Sequence, residues 1–463
     1  MRQQLRRAGG FAVVATLALA APALGPAAAA PFAAVAVLAA FVVEDGWLFE
    51  LFARPADRKR RRLNGLAGFA LAATGLAILT AVPQQSMPVH VFAAAVIVLP
   101  YGRLGRQFAR ESTTDEFLTT SVFVATGFLA ATAAQAAVVL AEPSLGSLDR
   151  LPTYAFLAAT GALVAALLRS VLFADDDPLV ILSVGFLLWL FAAVTPAVAP
   201  VLVAVGLGVT VFLGWVSYAL QTADVAGMLT GVLLGLVTVV LGGLGWFAAL
   251  ISFFAIGGLA SKFRYETKRE RGVAQENEGA RGTSNVLGNA AVALVSVVAY
   301  AAVTTATIGA GTVTRTPVDL SGVTVFGTPL TTLVALAFAG SVAAAMADTL
   351  ASEIGGLFDD PRLVTTLRPV EPGTDGAITW QGELAGAVGA ALVAAMAAVG
   401  MPVGSDPVLA GVVVTVGGVA GMTVDSLCGA LIEGAVVGNE TVNFLATLAG
   451  AVVAVLVGLA ITP

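Results

Sequence analysis

Apolar runs of about 20 residues recur along the whole chain between short polar loops, and a helix of that length matches the hydrocarbon core of a bilayer. In lipid every backbone N–H and C=O needs a partner within the protein, which leaves helices or closed barrels. Few of the runs show the period-two alternation of a barrel strand, so helices are expected. The chain is 58% hydrophobic and only 11% charged, whereas soluble domains are roughly a quarter charged. It has too few polar groups to cover a water-facing surface, in keeping with a mean hydropathy of +0.94. Its 51 glycines, with abundant alanine, allow membrane helices to approach closely. The expected fold is an all-α, polytopic membrane helix bundle of about 15 transmembrane helices.

Charge sets the expected orientation. The basic block Arg54, Arg58, Lys59, Arg60, Arg61 and Arg62 follows an apolar run and is placed in the cytoplasm. Counting alternate crossings from there puts all of the 23 Lys and Arg on that side except Arg150 and Arg315. The expected location is the cell membrane, with many passes and the basic loops cytoplasmic. MRQQLRR before the apolar run from Gly9 to Leu24 reads as the start of a retained helix, with a signal peptide as the alternative. A division near residue 222 is expected. It separates an N-terminal membrane module (1–222), whose helices carry few polar residues in their middles, from a C-terminal domain (223–463) with patterned polar residues.

Several chemistries are closed. One cysteine, Cys428, rules out an intrachain disulfide and a cysteine-based zinc cluster. One histidine, His90, excludes HExxH and most Ser-His-Asp schemes, and reads as an interfacial residue. None of the three lysines follows a glycine, so there is no phosphate-binding P-loop. The net charge of −6 gives no sign of nucleic acid as a partner.

Three stretches could carry chemistry. In the first, the polar loop 261–282 leads into a helix where Arg281, Asn285 and Asn289 are spaced by four and share a face. Such a stripe is costly in lipid unless it faces a polar cavity. Lys262, Lys268 and Arg281 are candidate phosphate-binding cations, against plain topological anchoring. In the second, Gly340, Ala344, Ala347 and Ala351 form a small-residue surface, and Asp348 and Glu353 lie just before Gly355-Gly356, where the helix can end. The loop that follows offers Arg368 and the turn Glu371-Pro372-Gly373-Thr374-Asp375-Gly376, whose backbone N–H groups could meet a phosphate. In the third, Asp425 lies within an apolar run, with Glu433 two turns on. Asp348, Glu353 and Asp425 are the candidate catalytic carboxylates and together suit a Mg²⁺ ion, because hard cations prefer oxygen. Lys262, Lys268, Arg281, Asn285, Asn289, Arg368, Gly373, Thr374 and Gly376 are the candidate nucleotide- and phosphate-binding residues.

The segments NEGARGTSNVLGN, AGSVAAAMADTLASEIG, LRPVEPGTDGAITWQGELAG and GGVAGMTVDSLCGALIE occur in this order across about residues 223 to 463. Together they resemble an integral membrane family that includes transmembrane protein 19-like proteins and the plant phytyl-phosphate kinases. The family usually has an aromatic in its ADTxASE core, where Leu350 stands here. The resemblance implies an enzyme that converts an isoprenoid monophosphate to its diphosphate, using a nucleoside triphosphate with Mg²⁺ at the cytoplasmic face. It does not cover the N-terminal half. The main alternative is an ion- or proton-coupled transporter using Asp348 and Asp425. The gathering of polar clusters toward one side favours surface chemistry over transport.

Overall fold

The computed structural model describes residues 2–83, 86–172, 176–194, 198–274, 282–305, 307–308, 318–434 and 436–461. Among them twelve helical stretches are long and apolar enough to cross a membrane. The shorter apolar helix α1 (Asn64–Leu79) and the 21-residue α2 (Val89–Ala109), which carries Arg103 and Arg106 near its end, bring the count close to the number expected. The protein is an all-α polytopic membrane bundle.

The chain divides into two compact units, 1–203 and 204–463. The first comprises the helical stretch Gln3–Val42, α1, α2, α3 (Glu116–Ala141), α4 (Leu151–Val171) and α5 (Asp177–Val194). Its helices are held at one end by charge. Asp177, only 1% exposed, accepts from the guanidiniums of Arg54 and Arg103, and Arg169 lies 3.7 Å away. Arg54 is itself positioned locally: Asp57 accepts from its backbone N–H at 3.0 Å and from that of Asn64 at 2.9 Å. A carboxylate this deep is tolerable only with such partners.

The division falls inside α6 (Pro200–Ala219). The second unit continues with α7 (Val225–Gly242), α8 (Leu244–Lys262), the short α9 (Tyr265–Glu270), α10 (Thr283–Thr305), α11 (Leu330–Gly355), α12 (Trp380–Gly400), α13 (Pro407–Leu431) and α14 (Asn439–Ile461). Side-chain oxygens fix where several helices begin. Asp224 accepts from Gly227 N–H, Thr379 from Gly382 N–H, and Asp406 from Val408 and Leu409 N–H. These caps satisfy donors that a helix start otherwise leaves open.

Helix α11 is the centre of this unit, packing on α8, α10, α12, α13 and α14. Its small-residue surface makes the contacts. Ala344 faces Gly421 of α13 and Gly450 of α14, while Gly386 of α12 fits over Ala347 and Ala351. A Cβ at Gly450 would stand 2.6 Å from the Ala344 Cβ and 2.7 Å from the Gly340 carbonyl. Gly450→Val should therefore overpack the bundle by about 1–3 kcal/mol. A lowered thermal midpoint in detergent is the expected result; an unchanged midpoint would mean that these helices do not approach so closely.

Candidate functional site

The three polar stretches meet at one end of the second unit. Helix α8 ends at Lys262, and the chain turns back through α9 so that Lys268 reaches the last turn of α8. The Lys268 ammonium donates to the carbonyls of Ala260 (3.0 Å) and Ser261 (2.9 Å) and to the carboxylate of Glu353 on α11. Lys268 is 1% exposed and Glu353 4%. All three ammonium protons are thereby used. Beyond Lys268, Arg271 pairs with Asp359 at 2.9 Å and donates to the Phe358 carbonyl at 2.8 Å, binding this loop to the end of α11.

Helix α11 ends at Gly355, and the following loop is pinned by a two-stranded antiparallel pair, β1 (Arg362–Leu363) with β2 (Ala377–Ile378). Between them Gly373 (φ +84°) and Gly376 (φ +74°) adopt left-handed backbone, as their Pro-Gly and Asp-Gly pairs lead one to expect. Thr374 donates its hydroxyl to the Glu371 carbonyl at 2.7 Å, closing the turn. A side chain at Gly376 would strike the Ser426 carbonyl and Ala430, and one at Gly373 would meet the Gly272 carbonyl. The turn thus spans from the Lys268 loop to the end of α13. Arg368 is exposed on this same connection, and Lys262 is half-buried at the end of α8.

Asp348 and Asp425 come together: their carboxyl groups share a side-chain hydrogen bond between α11 and α13. The Oδ1 of Asp425 is buried and has no hydrogen-bond partner among the described residues. Two ionised carboxylates repel at this range, so the contact requires a shared proton or an intervening cation. Glu353 is not part of the pair. It follows Asp348 by five positions, on another face of α11, and goes to Lys268. Among the described residues no group of three or more His, Cys, Asp or Glu is arranged to hold a metal ion.

The remaining candidates sit around this centre. Asn289 is buried and donates to the backbone carbonyl of Asn285 at 3.0 Å, a bond within α10. Arg281 lies outside the described residues. The start of α10 meets the start of α14, where Ser284 donates to Glu440 at 3.4 Å. Two acids not assigned to the site from sequence belong to this end: Asp224, 3.4 Å from a Cβ built on Gly282, and Glu440. Asp224 caps α7 and Glu440 lies in the first turn of α14, positions that read as structure. Glu433, just past α13, has its carboxyl pushed above the usual range by burial, and then by the neighbouring charges of Asp375, Asp425 and Glu440. This end of the bundle therefore gathers several carboxylates, with the cations of the loops beside them.

The model for the family described as integral membrane protein DUF92 matches residues 208–461, more than half of the chain. The chain belongs to this family. All the candidate site residues named above fall inside the match. An uncharacterized membrane protein of Methanocaldococcus jannaschii is 34% identical over 238 residues, which cover 50% of this chain and 85% of that one. An uncharacterized membrane protein of a Synechocystis species is 29% identical over 219 residues, 46% of this chain and 74% of the other. Protein VTE6, chloroplastic, of Arabidopsis thaliana is 30% identical over 162 residues, 35% of this chain and 42% of its own length. No solved structure matches.

Proposed function

We propose that this DUF92 protein is a membrane-embedded phosphotransferase that converts an isoprenoid monophosphate to its diphosphate with a nucleoside triphosphate and Mg²⁺. The observation that carries the reading is the Asp348–Asp425 carboxyl pair, with its buried, unpartnered oxygen, at the loop-bearing end of the bundle. The motif resemblance to the plant phytyl-phosphate kinases supports the choice of substrate class. We place this end at the cytoplasmic face, on the charge asymmetry of the loops.

Asp348 and Asp425 would hold the cation. A pair of carboxylates with an open oxygen suits Mg²⁺, which commonly keeps one or two protein ligands and completes its shell with water and phosphate oxygens. When bound, the ion neutralises phosphate charge. Lys262, Arg368 and Arg281 would balance the rest, Arg as a bidentate donor. Lys268, held by Glu353, fixes the basic loop at the end of α11. The Gly373–Gly376 turn would present backbone N–H groups, and Asn285 and Asn289 would line the entry. An oxygen of the acceptor's phosphate bonds to the terminal phosphorus of the triphosphate. The bond to the bridging oxygen breaks, and the nucleoside diphosphate leaves. Positioning and charge balance are what the protein contributes.

The test uses the purified full chain in detergent with geranyl, farnesyl, geranylgeranyl and phytyl monophosphates, Mg²⁺ and labelled ATP or CTP. Labelled diphosphate is expected with at least one acceptor; it should vanish with EDTA and return with added Mg²⁺. No transfer to any acceptor from either nucleotide would remove the kinase reading and leave transport as the alternative.

A further inference from the structure

Three helices meet beside the carboxyl pair, and only two of them supply its acids. Gly417 of α13 packs on Gly450 and Ala454 of α14, and Gly421 packs on Ala446 and Gly450. Helix α14 therefore runs opposite to α13. On α11, Gly340 and Ala344 both lie against Gly450. One turn further toward the loops, Asp348 follows Ala344 and Asp425 follows Gly421, each on the face just described. On the antiparallel α14 the same step leads back from Ala446 to Asn443. Asn443 thus stands at the level of the two carboxyl groups, on the buried stripe of the third helix.

Asn443 is 6% exposed, and its amide has no hydrogen-bond partner among the described residues. Other buried polar side chains of this unit are satisfied within their own helices. Ser341, Thr447, Ser296 and Asn289 each donate to a carbonyl three or four residues back. The ordinary use of asparagine inside a membrane bundle is a hydrogen bond between helices. Asn443 makes none with the described residues, and a buried amide left unsatisfied costs about 1–3 kcal/mol. An apolar residue would avoid that cost, so the amide needs a use of another kind.

We propose that Asn443 is the third protein ligand of the cation site, its side-chain carbonyl oxygen coordinating the divalent ion held by Asp348 and Asp425. The assignment rests on the reading of the carboxyl pair as a cation site and takes nothing from the nature of the phosphate acceptor. Two carboxylates already match a divalent charge. Among the described residues no third acid joins them. A further protein ligand must then be neutral, and hard cations accept amide carbonyl oxygens as well as carboxylates. Asparagine supplies the oxygen without adding to the repulsion between the acids. Its NH₂ group stays available to a phosphate oxygen on the same ion.

The test is equilibrium binding of Mn²⁺ alone to the purified full chain in detergent, followed by the EPR signal of the free ion and competed with Mg²⁺. Neither nucleotide nor acceptor is present. Asn443→Leu, close in shape, should bind Mn²⁺ at least about tenfold more weakly than wild type, the lower end for residues that support a metal. Its thermal midpoint in EDTA should equal or exceed that of wild type, because leucine removes an unsatisfied amide. Asn443→Asp keeps an oxygen and should still bind Mn²⁺, but its midpoint in EDTA should fall as three carboxylates face one another. Wild-type Mn²⁺ affinity in Asn443→Leu, with affinity lost in Asp348→Asn, would overturn the assignment and leave the carboxyl pair in place. So would a lowered EDTA midpoint in the leucine variant with unchanged affinity, since Asn443 would then be structural. A wild-type chain with no Mg²⁺-competed Mn²⁺ would overturn the assignment together with the cation reading of the pair. Mn²⁺ bound through Asn443 without phosphate transfer to any acceptor would uphold the ligand and remove the kinase.

Discussion

Asp425→Asn and Asp348→Asn should each leave the bundle folded and lower phosphate transfer by about two to three orders of magnitude, the size usual for removing one preorganised charge-stabilising group. The reasoning is geometric. Asparagine keeps the shape of aspartate and can still hydrogen-bond to the remaining carboxyl, so the contact between α11 and α13 survives. The negative charge that would hold the cation does not. The Mg²⁺ concentration giving half-maximal rate should also rise in both variants, a change that a purely structural role would not produce. The checks are initial rates across a Mg²⁺ series, with thermal midpoints in detergent to show that folding is retained. Wild-type rates in both variants would remove the carboxyl pair from the site.

The largest effect on stability should come from Lys268 and Glu353. They are 1% and 4% exposed. Breaking such a pair by removing one partner typically costs about 3–5 kcal/mol, because the other charge is left buried without compensation. Lys268→Met would also strip a donor from the carbonyls of Ala260 and Ser261. Glu353→Leu would leave the ammonium with carbonyls only. Combining the two removes both charges, and buried ion pairs replaced by apolar residues are often neutral in stability. The double variant should therefore recover most of what either single variant loses. Folded yield and midpoint of all four proteins, read as a double-mutant cycle, decide it. Additive losses would mean that the two side chains do not depend on each other.

The membrane-spanning helices and the Asp348–Asp425 meeting had different kinds of signal in the sequence. The helices follow from run length and from the backbone's need for partners in lipid. Asp348 and Asp425 stood out because a carboxylate inside an apolar run is costly, so each demanded an explanation. The sequence therefore grouped them on one cation; what it did not display is the register of α11 against α13 that lets them meet, set by where Ala344 meets Gly421. The role of Lys268 was hidden for another reason. It sits in a loop crowded with cations, and nothing local separates it from Arg269. Its partner is 85 positions away. Grouping Glu353 with Asp348 by nearness in sequence overlooked that five positions along a helix turn a side chain to another face. In the N-terminal half, Arg54, Arg103 and Arg169 read as topological anchors, because a basic residue at a helix end has that use whether or not it also finds a carboxylate.

The hub at Asp177 bears on how the first unit is assembled as the ribosome delivers it. The guanidiniums of Arg54, Arg103 and Arg169 belong to segments that emerge earlier, and Asp177 opens the last helix wholly within that unit. Until it arrives, these three cations lack the carboxylate on which they converge and must stay at the water-facing boundary of the bilayer. Electrostatics thus times the closure. The bundle can be inserted helix by helix, but it is locked only when α5 brings Asp177 into place.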